Sequence, residues 1–259
     1  MTRARKVRTF LLLFGAFMVP AAVLFVLGTG APAQAGGQQV LEALAQSSLL
    51  GQGQALYEAH CSSCHGVDAQ GSNLAPMILG LGPAYYDFQM STGRMPLPDP
   101  TAQAVRRPPL LSPAQIQAIT AYLSSLAPGG VQIPHVDLAA GSLSQGEQIF
   151  ISNCAPCHSA AGNGGAVGPQ LAPNLHQATP TQVAEAVRIG PGTMPIFGTG
   201  LVSSQQLNSL VKYVEYLRNP DHPGGISLGV GGPVIEGFVA LLLGLGSILV
   251  ITRVIGERS

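Results

Sequence analysis

Tryptophan is absent from this chain of 259 residues and charge is scarce. Only 9% of the residues are charged, with 12 Lys+Arg against 12 Asp+Glu and a formal net charge of zero. With no excess of positive charge there is no bulk field to attract nucleic acid, and no nucleic-acid partner is expected. Aromatic residues make up 5%, whereas glycine (33) and proline (21) abound. That balance argues for a loop-rich soluble part rather than large apolar cores. Long hydrophobic runs are confined to the two ends of the chain. This is the pattern of a membrane-tethered extracytoplasmic protein.

Cysteine is also rare, and its four copies are all placed in one repeated pattern. They stand in Cys61-Ser62-Ser63-Cys64-His65 and in Cys154-Ala155-Pro156-Cys157-His158. Cys-x-x-Cys-His is the attachment signature of c-type haem. On a helix, residues i, i+3 and i+4 share a face. Two thiols can therefore reach the vinyl groups of one porphyrin while the following histidine, His65 or His158, becomes an axial iron ligand. No cysteine remains for a disulfide or a nucleophile. A structural zinc site built from paired Cys-x-x-Cys motifs does not require a histidine after both pairs, and a separation of 93 residues is long for a compact four-ligand site. Two covalently bound c-type haems are expected.

An internal repeat surrounds these motifs. Gly53, Tyr57, Cys61 and Pro76 recur as Gly146, Phe150, Cys154 and Pro169 at a constant offset of 93. Farther on the offset changes: Met95-Pro96 answers Met194-Pro195, and Ser112, Ile116, Ile119 and Tyr122 answer Ser203, Leu207, Leu210 and Tyr213. Each unit reads as helix, haem motif, Pro/Gly-rich loop, methionine loop and closing helix. Ser112 and Ser203 are N-cap candidates, with Pro113 at the favoured first helical position. Apolar residues at 116, 119, 122 and 123, and at 207, 210, 211 and 214, trace one helical face. A unit of about 75 residues is marginal for an independent core. A covalently held porphyrin supplies what is missing.

A haem that only carries electrons needs a sixth ligand, and methionine opposite histidine raises the reduction potential. Met194 is the only methionine after Cys154. The first unit offers Met77, Met90 and Met95. Met77 lies too close behind the attachment motif to reach the opposite haem face. Met95 shares its Met-Pro context with Met194 and is the expected ligand, with Met90 as runner-up. Histidine ligands donate their second ring N–H to a carbonyl or carboxylate. Pro76 and Pro169, each 11 residues after its histidine, are candidate acceptors. Arg94, Arg106, Arg107 and Arg188 are candidates to neutralise haem propionates. His60, His135, His176 and His222 read as surface residues.

At the N-terminus, Arg3, Arg5, Lys6 and Arg8 precede an apolar run from Phe10 to about Leu27. That run is longer than a signal core of ~7–15 residues, yet Ala33-Gln34-Ala35 resembles a cleavage site, so 1–35 is a cleavable signal or a signal anchor. Gly36 to Leu50 reads as a polar or weakly helical connector. Residues 36–127 make the first haem unit, 128–144 a linker, 145–220 the second unit and 221–232 a glycine-rich connector. In 233–259, the apolar stretch from Val234 to about Val254 is long enough to span a bilayer, which takes ~20 residues. Its interior charge is Glu236, and Arg253 and Arg258 follow. Positive residues then flank both hydrophobic segments on the cytoplasmic side. The haem units sit on the extracytoplasmic face of the cell membrane, with both termini cytoplasmic if the first segment is retained. Gly237, Gly244 and Gly246 would permit close approach of a partner helix.

Taken together, these residues resemble a known family: the dihaem cytochrome c subunit of the actinobacterial-type cytochrome bc complex, a quinol–cytochrome c reductase. The resemblance rests on the two tandem haem motifs combined with Ser91-Thr92-Gly93-Arg94-Met95-Pro96, the approach Gly232-Pro233-Val234-Ile235-Glu236-Gly237 and the terminal hydrophobic segments. It implies an all-α fold: two class I cytochrome c domains between an N-terminal hydrophobic segment and a C-terminal transmembrane helix. It also implies cytochrome b and Rieske iron–sulfur subunits as partners. One haem would take electrons from the Rieske centre and the other pass them to a haem–copper cytochrome oxidase. The chain would be an electron-transfer subunit with no substrate chemistry of its own. A dihaem peroxidase, with one open sixth position, and the cytochrome subunit of another membrane dehydrogenase are the competing readings.

Overall fold

The structure, a computed structural model, describes residues 33–168, 170–221 and 233–257. The expectations for residues 1–32, Pro169 and the connector at 222–232 lie outside the described residues. The chain divides into two compact units, 1–51 and 52–259. Helix α1 (Ala33–His60) runs through the division. Its first part, rich in Ala, Leu and Gln, is fully helical where the sequence suggested a weakly helical connector, because those residues have high helix propensity. Val40, Leu41 and Leu44 are exposed along it.

Unit two contains both haem motifs, each set in its own small helical domain. In the first, α1 ends at Cys61, the short α2 (Ser62–His65) carries the motif, and α3 (Pro83–Ser91) and α4 (Pro113–Leu126) complete the domain. In the second, α5 (Leu143–Asn153) leads into α6 (Ala155–His158), and α7 (Pro180–Ile189) and α8 (Ser204–Tyr216) follow. The second domain has an element without counterpart in the first: an antiparallel hairpin of β1 (Gly165–Val167) and β2 (Gln170–Ala172).

The repeat-matched residues are the contacts that hold each domain together. At Gly53 an added Cβ would overlap the Ala118 carbonyl oxygen, and at Gly146 the Ser209 carbonyl oxygen. Only glycine lets these helix pairs cross so closely. Four residues on, Tyr57 meets Tyr122 with ring centroids 5.7 Å apart, and Phe150 meets Tyr213 at 5.5 Å. Tyr57 and Phe150 are fully buried. Ser112 and Ser203 cap α4 and α8 as expected, each in a capping box with the glutamine three residues on. Thr179 and Gln182 form a third box at α7.

The two domains pack directly through α3 and α7. Ala84 and Phe88 meet Ile189, with Tyr85, Val131 and Ala186 around them. The Gln182 amide donates to the Ser91 carbonyl at 3.1 Å and to its hydroxyl at 3.2 Å. Beside this apolar patch, Glu185 is fully buried, facing Asp87 of α3. Burial, reinforced by the Asp87 carboxylate, pushes Glu185 up to about 9. Burial also raises Asp87. Other ionisable groups of the packed helix α8 are engaged elsewhere: Lys212 with the Gly141 carbonyl and Glu215 with Arg218.

This pair has a pH signature. The folded pKa of Glu185 lies above its unfolded value, so the native state binds the extra proton and stability falls as pH rises from about 4.5 to about 9. Denaturant midpoints should therefore drop between pH 5.5 and 8.5, by an amount on the order of a few kcal/mol in the underlying stability. Glu185→Gln should flatten that dependence. Parallel pH profiles for the two proteins would contradict it.

At the C-terminus, α9 (Pro233–Val239), a π-helical stretch (Ala240–Leu245) and α10 (Gly246–Gly256) follow one another without a break. Ile235–Gly256 is 22 residues long with mean hydropathy 2.4, and none of its apolar window is buried. A helix this long and exposed fits membrane anchoring.

Candidate functional site

Each attachment motif is presented the same way. The N–H of His65 bonds back to the Cys61 carbonyl at 2.9 Å, and that of His158 to the Cys154 carbonyl at 2.8 Å. One helical turn thus gathers both cysteines and the histidine. The four cysteines are half-buried and none is in a disulfide. Burial, then the neighbouring Cys64, pushes Cys61 up to about 11. Burial and Cys157 do the same for Cys154. Before haem is attached, burial thus favours the thiol form of both leading cysteines, unlike the lowered-pKa cysteines that act as nucleophiles.

Both histidines are buried. His65 Nδ1 lies 2.9 Å from the Pro76 carbonyl. A carbonyl can only accept, so Nδ1 carries the proton and Nε2 keeps its lone pair for a metal. In the second domain the acceptor differs from the sequence expectation. His158 Nδ1 donates to the Pro173 carbonyl at 3.0 Å, 15 residues on, rather than to Pro169. The hairpin lengthens this loop by four residues, so the carbonyl that returns beneath the histidine comes later in the chain. Burial holds His158 below the usual imidazole range, which keeps it neutral.

A cavity in the second domain brings the predicted site residues together. Its walls include Cys154, Cys157, His158 and Met194 together with apolar Phe150, Val187, Leu210 and Val214. A largely apolar lining that also holds two cysteines, a histidine nitrogen and a methionine sulfur fits a covalently attached porphyrin. Met194 reaches the cavity from a braced loop. Gly190 ends α7 in the left-handed conformation, φ 58°, and the Met194 N–H bonds to the Pro191 carbonyl. Arg188 does not line this cavity. Its Nη1 donates to the carbonyls of Phe197 at 2.8 Å and Val202 at 2.6 Å. The expectation that Arg188 neutralises a propionate gives way to a bracing role, since its guanidinium is turned inward to hold the methionine loop.

In the first domain Met90 is buried in the core cluster with Tyr57, Tyr86, Ile116 and Ile119. Met77 is 60% exposed. Met95 lies half-buried in the loop after α3, its N–H on the Gln89 carbonyl at 2.9 Å. Arg94 sits over the Phe88 ring, 4.8 Å from its centroid, and lines the cavity of the second domain together with Arg106. Burial, then the neighbouring charge of Arg106, lowers the Arg94 pKa. His176 is not a simple surface residue: its Nε2 lies 2.7 Å from the Ala161 carbonyl. The residues that sequence reasoning missed are Pro173, Asp87 and Glu185. The last sits among apolar neighbours, Val183, Ala184, Ala186 and Val187, which was the available signal for burial.

Comparison with known proteins places both attachment motifs in cytochrome c domains. Residues 51–127 match the family model described as Cytochrome c, and residues 141–214 the one described as Cytochrome C oxidase, cbb3-type, subunit III. Each match contains one attachment motif, and the chain carries two covalently bound c-type haems. The cytochrome bc1 complex cytochrome c subunit of Mycobacterium tuberculosis (strain ATCC 25618 / H37Rv) is 36% identical over 222 residues, 82% of this chain and 79% of that protein. The subunit of the same name from Corynebacterium diphtheriae is 31% identical over 232 residues, 83% of each chain. The cbb3-type cytochrome c oxidase subunit FixP of Sinorhizobium medicae is 30% identical over 135 residues, 49% of this chain and 44% of that one. The solved structure of reduced recombinant cytochrome c4 from Pseudomonas stutzeri is 24% identical, covering 62% of this chain and 95% of that one, with a TM-score of 0.23. Two haem domains, a C-terminal apolar helix and relatives over most of their length lead to one conclusion: the chain belongs to the family of cytochrome c subunits of the cytochrome bc1 complex, an electron-transfer component of a respiratory reductase.

Proposed function

We propose that this chain relays electrons from the Rieske centre of a quinol-oxidising cytochrome bc complex to a haem–copper oxidase. Its two haem domains lie on the extracytoplasmic face, and the C-terminal helix anchors them. The observation that carries this reading is the direct packing of the two domains through α3 and α7, which holds two electron-carrying sites in one fixed arrangement. The haems supply one-electron chemistry by cycling between ferric and ferrous iron. The protein's part is attachment and orientation. Cys61, Cys64, Cys154 and Cys157 form the thioethers. His65 and His158 present Nε2 in a tautomer fixed by Pro76 and Pro173. Met95 and Met194 would each supply a thioether sulfur to the iron of their own domain's haem. Met90, packed in the core, is placed to fill space instead. The identity of the partners, cytochrome b, the Rieske subunit and the oxidase, is supported by the bc1 complex named for the relatives; the oxidase link draws additional support from the cbb3-type relative.

The test is purification from native membranes in mild detergent, followed by rapid mixing with quinol. Cytochrome b and Rieske subunits should co-purify, and reduction of both c haems should stop when the Rieske cluster is destroyed. Reduction that continues at the same rate without the cluster would assign the chain to another membrane dehydrogenase.

A further inference from the structure

The cavity of the second domain is not built by that domain alone. Two arginines of the first domain, Arg94 and Arg106, line it alongside Cys154, His158 and Met194. Arg106 reaches across the domain boundary: its Nη2 donates to the Gln177 carbonyl at 2.6 Å and to the Gln182 side chain at 3.1 Å. Arg94 Nη1 is buried with no hydrogen-bond partner. Among the described residues, neither arginine is in an ion pair. Arg218, whose charge bears on Arg106, is already paired with Glu215 at 2.8 Å. Two guanidinium groups are thus gathered, partly desolvated, at the wall of an apolar cavity without a carboxylate to answer them.

That arrangement is costly unless an anion completes it. A partly desolvated charge loses hydration that the neutral acceptors of Arg106 and the ring beneath Arg94 replace only in part. Guanidinium groups hold carboxylates through paired N–H donors in a fixed fork. The cavity that these arginines line also holds the attachment residues Cys154, Cys157 and His158, and a porphyrin's two propionates are the carboxylates that would enter with it. We propose that Arg106, with Arg94 beside it, binds the propionates of the second domain's haem, so that the first domain supplies part of the second domain's cofactor site. This rests on the c-type haem reading and adds to it a direction: the charge that tunes the second haem comes from the first domain. Gln182, which caps α7, contacts Arg106 and donates to Ser91, ties domain packing to the position of that charge.

The test is Arg106→Gln in the full chain within the purified complex, read by redox titration of the two haems separately. Arg94 is left in place because it precedes Met95. The component displaced by Met194→Ala marks the second haem. Removing a cation favours the ferric state, so the second haem's potential should fall. The electron-sharing equilibrium should move about tenfold toward the first haem, ~59 mV for one electron. A propionate freed of its cation also titrates at higher pH, so the potential of that haem should become pH-dependent near neutrality. Arg106→Lys, which keeps the charge, should restore most of both. A fall confined to the first haem, or no change in either, would overturn the assignment of Arg106. Haem content of the unsubstituted chain separates the two levels: fewer than two haems there would overturn the haem reading itself.

Discussion

Gly146→Val should abolish the second haem domain while leaving the first intact. At this position α5 crosses α8 so closely that a Cβ would overlap the Ser209 carbonyl oxygen and come within 2.8 Å of the Tyr213 Cβ. Backbone cannot yield as a flexible side chain can. The same crossing sets the Phe150–Tyr213 ring pair and the hydrogen bonds of Ser209, whose hydroxyl donates to Gln145 at 2.9 Å and accepts from the Ser142 N–H at 3.0 Å. Overpacking a well-filled core costs about 1–3 kcal/mol and occasionally more, and a whole domain has a net stability of only about 5–15 kcal/mol. A small domain that depends on its haem for a core has little reserve. Haem content per chain should fall from two to about one, and limited proteolysis should cut within 145–220 first. Gly198→Val, where a Cβ meets nothing within 4 Å, is the control and should keep both haems.

Met194→Ala should change the chemistry of one haem without unfolding its domain. The loop that carries Met194 is held by other residues: Arg188 through the Phe197 and Val202 carbonyls, and the Phe197 N–H through the Val187 carbonyl at 2.9 Å. Met194 itself is only half-buried, so its truncation opens no closed core cavity. On the proposed assignment, what is lost is a thioether ligand that favours ferrous iron. The potential of one haem should drop on the order of 0.1 V, within the ~0.8 V range that axial ligands span. The Met–Fe absorption band should halve. Native spectra for both haems would show that Met194 is not a ligand.

Much of this architecture was legible because the same constraint is written twice. A single Gly-x-x-x-aromatic pair is weak evidence. Gly53–Tyr57 and Gly146–Phe150 at one offset point to a shared crossing, and both glycines turned out to lie under a backbone carbonyl. The helix caps at Ser112 and Ser203 are local chemistry and were equally readable. What the repeat could not show is where the copies diverge. Pro169 matched Pro76 by spacing, yet the hairpin between Gly165 and Ala172 displaces the acceptor to Pro173. Contacts between the copies were hidden as well. Asp87 looks like an ordinary solvated helix position until α3 packs on α7, and the apolar run around Glu185 hints at its burial without naming its partner. Arg188 carries no sequence mark to distinguish a loop brace from a propionate partner.

The central claim is that both irons are ligated on both faces, so that the chain carries electrons and performs no ligand chemistry. Carbon monoxide added to the fully reduced, native complex tests it most directly, read at the c-haem absorption bands. The account predicts no rapid change at either c haem. Prompt, stoichiometric binding to one of them would reveal an open sixth position and contradict it.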